Sequence, residues 1–176
     1  MEKIIAYPGV YLGFLPHYPE LDAEKLHRFK NVHVAHRRVR QSHRGSHEVG
    51  DVLAAPPILC CTHNDSFYIL NGKHRTVVAA ILGYPIELAL IENRSEIRHS
   101  IAREWMGGLN SDELLEQFDN RHSWVDHCAA HGVHSIAQLA KKEHGKIRSV
   151  FEGATGLSAF GKSIVHPSGL SVTAAS

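Results

Sequence analysis

Lys73, His74 and Arg75 form a basic triplet directly after Asn71-Gly72, where the apolar run Phe67 to Leu70 stops and a helix-like segment to Leu82 begins. The pattern is strand, tight turn, helix, with charge concentrated at the helix start. Helix N-termini expose unpaired backbone N–H groups and the positive end of the helix dipole, so they attract anions. Cations placed there oppose the dipole, by about 0.3–1 kcal/mol each when exposed. Three together point to an anion that compensates for them, and a phosphate is the first expectation. Arg75 is the residue best suited to grip it, because a guanidinium matches two phosphate oxygens at once. Thr76 offers a hydroxyl, and Gly72 serves both the tight turn and a close approach of backbone to ligand.

A second basic feature precedes this stretch. Residues 36 to 48 hold four arginines and three histidines against one acid, Glu48. A solvated loop and a phosphate clamp made by Arg37, Arg38 and Arg40 are both open readings of it. Fifteen histidines invite a test for metal. His33 and His36, His43 and His47, and His127, His131 and His134 have spacings that could ligate. Neither a His-Glu-x-x-His motif nor paired CxxC motifs accompany them, so they read as dispersed surface histidines, and no metal site is assigned. Cys60 and Cys61 fall on an expected core strand, so at least one of them reads as a small buried hydrophobe.

The elements that must position these groups follow from periodicity and punctuation. Short extended pieces are expected at Lys3 to Tyr7 and Val10 to Leu15. Asp22 caps a short helix to Lys30 with Leu21, Leu26 and Phe29 on its apolar side, and Val32 to Ala35 alternates as a strand. Strands follow at Ile58 to Thr62 and Phe67 to Leu70, joined by a turn over His63 to Ser66. The helix Lys73 to Leu82, closed by Gly83, leads to a buried strand from Ile86 to Ile91 in the same sheet. Beyond this the chain reads as helical. Expected helices run from a Ser95 cap to Met106, from Asn110 or Ser111 to Phe118, and from Ser123 to Gly132. A Ser135/Gln138 capping box opens a fourth, ending near His144 and Gly145. The organisation expected is a core over residues 1–94, a helical region packed on it over 95–150, and an irregular tail over 151–176.

Composition bounds the rest. A chain of 176 residues with 43% hydrophobic content makes one domain, or one with a helical appendage. A net charge of +1 is not that of a dedicated nucleic-acid binder. No apolar run reaches the length of a transmembrane helix, so no membrane partner is expected. Without a signal-like N-terminal segment and with three cysteines, a reducing cytoplasm is the expected compartment.

The run Ile69-Leu70-Asn71-Gly72-Lys73-His74-Arg75, then Val78-Ala79-Ala80-Ile81-Leu82-Gly83 and Pro85-Ile86, resembles the hallmark of the ParB/sulfiredoxin-like superfamily. That hallmark is a strand, Asp-Gly-x-x-Arg, an alanine-containing helix, a glycine and a strand opened by Pro-Ile or Ile-Pro. Pro57-Ile58 resembles the upstream strand, and the likeness covers roughly residues 30 to 92. It implies an α+β fold with a mixed sheet and a nucleotide phosphate chain held over the turn. Its branches include partition proteins that bind CTP and DNA, ATP-using sulfiredoxins, and kinases of free serine. Asn71 replaces the acid of the hallmark, keeping hydrogen-bonding capacity but losing charge. The turn carries no cysteine, which argues against sulfiredoxin chemistry. The resemblance thus implies an ATP-, ADP- or CTP-binding protein, with Mg²⁺, that transfers phosphate to a small-molecule acceptor or hydrolyses the nucleotide. Asn71, Gly72, Lys73, His74, Arg75 and Thr76 would hold phosphates, His74 would orient one or shuttle a proton, and Glu48 would be the base. The alternative is a DNA-associated partition-type or regulatory protein using nucleotide as a switch. The acids Asp112, Glu113, Glu116 and Asp119 make packing or homodimerisation a better role for the later helices than DNA binding.

Overall fold

The computed structural model describes residues 2–6, 12–14, 20–42, 57–63, 66–82, 86–101, 111–130, 135–152, 164–165 and 171–172. Glu48, Arg44, His43, His47, His131, His134, Gly83 and the stretch from Met106 to Asn110 lie outside them.

The architecture is α+β. Strands β1 (Glu2–Ala6), β2 (Leu12–Phe14), β3 (Ile58–His63), β4 (Ser66–Ile69), β5 (Ile86–Leu90), β6 (Ile164–Val165) and β7 (Ser171–Val172) build one mixed sheet. Its order is β2-β4-β3-β5-β1-β6-β7. β3 runs antiparallel to β4 and parallel to β5, with Cys60 opposite Ile69 on one side and Leu90 on the other. Helices α1 (Ala23–Ser42), α2 (Lys73–Leu82), α3 (Arg94–Ile101), α4 (Ser111–Asp119), α5 (Arg121–Ala130), α6 (Ile136–Lys142) and α7 (His144–Phe151) cover it.

The central strands are buried on both faces, which is why they read as nearly continuous apolar runs. Successive side chains point to opposite faces. Ile58 and Cys60 of β3, Phe67 and Ile69 of β4, and Ile86, Leu88 and Leu90 of β5 pack with Leu26, Val77, Val78, Ile136, Leu139, Ile147 and Val150. Leu59, Cys61, Leu70, Ala89 and Ile91 pack instead with Ile97, Leu114, Leu115 and Phe118. The result is three layers, with α1, α2, α6 and α7 on one face and α3, α4 and α5 on the other. Helices α4 and α6 therefore lie on opposite sides of the sheet. Their apolar stripes serve packing. Both central cysteines are buried free thiols.

Several expectations are corrected. Val32 to Ala35 is helix, because α1 runs unbroken to Ser42. Two valines alternating over four residues are a weak strand signal. No Gly or Pro interrupts Asp22 to Ser42, and once nucleated a helix propagates cheaply. Helix α3 is capped by Asn93 and not Ser95. The Asn93 Oδ1 accepts from Glu96 N–H at 3.2 Å, and Glu96 Oε2 accepts in return from Asn93 N–H at 3.4 Å, a capping box, and also from Glu92 N–H at 2.7 Å. Ser123 lies inside α5, which starts at Arg121 immediately after α4. Gly145 does not stop the chain's last helices, since α7 continues past it to Phe151. Residues 164–165 and 171–172, expected in an irregular tail, pair as strands beyond β1. The Ser135 cap of α6 forms as expected, accepting from Gln138 N–H at 3.2 Å.

Candidate functional site

The turn between β4 and α2 is built from Asn71 and Gly72. Gly72 has φ +80°, a left-handed conformation that favours glycine. A Cβ there would stand 3.2 Å from Ile58 Cγ1 and 3.5 Å from Arg75 Nη2. Asn71 Oδ1 accepts from Leu59 N–H at 3.0 Å, while Leu70 N–H donates to Leu59 O at 2.8 Å. The amide of Asn71 thus continues the β3–β4 pairing where strand hydrogen bonds run out. Thr76 is fully buried, and both its N–H and its hydroxyl donate to Gly72 O, at 2.8 and 2.9 Å. Asn71, Gly72 and Thr76 therefore shape the turn. Thr76 directs its hydroxyl inward, which sequence reading could not distinguish from a ligand role.

Lys73, His74 and Arg75 occupy the first turn of α2, and that turn contains no acid. Arg75 is only 4% exposed, and burial pushes its guanidinium down to about 10. Lys73 is half-buried. Burial lowers its ammonium to about 8, with Lys25 and Lys146 adding repulsion and Glu20 and Glu143 partly offsetting it. His74 is buried, and desolvation, then the charges of Lys73 and Lys25, lowers its imidazole to about 4. Its Nε2 accepts from Asp22 N–H at 2.7 Å. A neutral ring with its proton on Nδ1 satisfies that bond. Held this way, His74 ties α2 to α1.

Three helix starts meet here: those of α1 and α2 are legible in the sequence, and that of α7 is not. Asp22 caps α1, its Oδ1 accepting from Glu24 N–H at 2.8 Å and Lys25 N–H at 3.2 Å. The Lys25 N–H bond holds the Asp22 carboxyl below its ordinary value. Leu21 N–H reaches Glu143 Oε2 at 3.4 Å, joining α1 to the start of α7. Glu143 also pairs with Lys146 at 2.5 Å. The starts of α1 and α7 thus carry their own carboxylates, whereas α2 carries cations. Lys25, Glu143 and Lys146 are site neighbours that sequence spacing could not reveal.

Arg37, Arg38 and Arg40 lie in the second half of α1, not on a loop after a strand. Asp22, at the other end, is the residue that touches His74. At 1.5 Å rise per residue, 15 to 18 residues separate these arginines from that contact by about 22–27 Å along the axis. The fold does not bring them to the α2 turn. Glu48 lies outside the described residues, and none of those residues gather three or more metal-binding side chains. No helix among them is long and apolar enough to cross a membrane. Comparison with protein-family models, curated proteins and solved structures finds no match.

Proposed function

We propose that the chain is a nucleotide-binding protein of the ParB/sulfiredoxin-like kind, which holds the phosphates of ATP, ADP or CTP over the first turn of α2. One observation carries the reading. Lys73 is half-buried at a helix start whose first turn holds no acid, with Lys25 and Lys146 repelling it and Glu20 and Glu143 as the acids that offset part of that repulsion. That arrangement costs free energy in the empty protein, and a polyanion would recover it by neutralising charges already gathered. Lys73, Lys25 and Lys146 are the cations nearest the bulk solvent. Arg75, buried beside Gly72, adds positive charge at the turn.

The chemistry that the resemblance adds is phosphoryl transfer to a small molecule, or nucleotide hydrolysis, resting on positioning and charge stabilisation. Mg²⁺ would arrive on the phosphate oxygens and keep much of its water. Calorimetry with ATP, ADP and CTP in Mg²⁺ tests the reading, comparing wild type with Lys73→Gln. Loss of one charge-assisted contact should weaken binding by about tenfold or more. Binding of none of the three nucleotides overturns it.

A second reading, a DNA-associated protein switched by nucleotide, is favoured by one feature: Arg37, Arg38 and Arg40 sit on a continuous helix. A helix is what the major groove admits. It requires DNA affinity that falls steeply with added salt.

A further inference from the structure

On the opposite face of the sheet from α2, His63 and His122 meet, 59 residues apart in sequence, with their Nδ1 atoms 2.9 Å from one another. We infer that this pair is a two-histidine site for a divalent transition-metal ion of the copper(II) or nickel(II) class.

Both rings stand on fixed supports. His63 ends β3, where it pairs in register with Ser66 of β4. His122 lies in the first turn of α5, a helix whose Trp124 and Val125 pack on the core. The rings are 4.5 Å apart by centroid and nearly perpendicular at 74°. His63 is half-buried and His122 exposed, so an ion can approach from solvent. Imidazole is a favoured ligand for these metals. Two imidazole nitrogens bound at about 2.0–2.1 Å and at a right angle stand about 2.9 Å apart. Tetrahedral zinc would spread the same nitrogens to about 3.3 Å. The observed separation thus matches the right-angled geometry of copper(II) and nickel(II), once each ring turns about its side-chain bonds to aim its Nδ1 at the ion instead of at the other ring.

Proton bookkeeping is simple. In the metal-free pair one ring donates its Nδ1–H to the other ring's Nδ1. On binding, the donor ring carries its proton on Nε2 instead, both Nδ1 lone pairs face the ion, and no proton is lost.

Copper(II) titration of the full chain, followed by electron paramagnetic resonance and by tryptophan fluorescence, tests the site. The first equivalent should show nitrogen coupling from two imidazoles. His63→Ala and His122→Ala should each weaken it by about tenfold or more, because the second ligand is supplied at high effective concentration. The double variant should be weaker than either single one, with a combined loss that is not the simple sum of the two. His127→Ala removes the ring 5.6 Å from Trp124 and should leave the first equivalent unchanged. Wild-type affinity in either His63→Ala or His122→Ala, or a first equivalent lost in His127→Ala, overturns the assignment. Circular dichroism confirms that each variant is folded before titration.

Discussion

The backbone N–H of Asp22 donates to Nε2 of His74 across 2.7 Å, so the residue that caps α1 is fastened to the first turn of α2. Asp22 uses its side chain for its own helix and its main chain for the neighbouring one. The acceptor in this bond is a neutral imidazole that burial holds at about 4. The junction is therefore a place where proton uptake and folding are linked.

The first expectation concerns acid. His74 titrates near 4 when folded and near its ordinary 6.5 when unfolded, so between these values the unfolded chain binds more protons. Stability should fall as pH drops through that window, and the effect is complete below about 4. Urea midpoints from pH 7 to 4 measure it. His74→Gln keeps an acceptor in reach of Asp22 N–H and lacks the titration, so its midpoint should vary less. An equal pH slope in both proteins would show that other groups dominate acid unfolding.

The second expectation separates two roles of Asn71. Its Oδ1 satisfies the N–H of buried Leu59, so Asn71→Leu orphans a donor and should cost about 1–3 kcal/mol in chemical denaturation. Asn71→Asp keeps the acceptor and restores the acid of the resembled hallmark. It should be folded with near-native stability. If Asn71→Leu is equally stable, the side chain does not support the strand end.

Legibility in the sequence followed the range of the interactions. The β3–β4–α2–β5 unit was readable because its apolar runs are bounded by Gly72 and by turn residues within a few positions. The cap at Ser135 was local and equally visible. Val32 and Val34 imitate strand alternation, while the helix they belong to is held by Leu26 and Phe29 a turn or two earlier. Three candidate ligands, Asn71, His74 and Thr76, have the right chemistry for phosphate. Their partners, Leu59, Asp22 and Gly72, give them structural work that spacing alone cannot show. Contacts between distant segments, such as His63 with His122 and Leu21 with Glu143, were beyond any local pattern.

The third expectation tests the turn. Gly72 sits at φ +80°, and a Cβ would press on Ile58 Cγ1 at 3.2 Å. The left-handed conformation alone costs a non-glycine residue about 1–2 kcal/mol. Gly72→Ala should therefore destabilise by at least that amount, with displacement of Ile58 adding to it. Thermal unfolding measures the loss. A variant as stable as wild type would mean that the backbone relaxes out of this conformation at little cost.

The last expectation joins stability to ligand binding through Lys73. Folding lowers this ammonium to about 8, so between about 8 and its ordinary 10.5 the unfolded chain holds the extra proton. Stability of the empty protein should rise with pH across that window, because the penalty for a buried, crowded charge disappears as Lys73 loses its proton. A bound polyphosphate prefers the charged form and should raise the value. Nucleotide affinity should accordingly weaken as pH climbs past about 8, while the empty protein becomes more stable. Calorimetry and urea unfolding over pH 7 to 10 read the two trends separately, and Lys73→Gln should flatten both. Opposed slopes that vanish together in one variant would place the same ammonium at both phenomena. A wild-type affinity that does not change between pH 7 and 10 would remove Lys73 from the phosphate site.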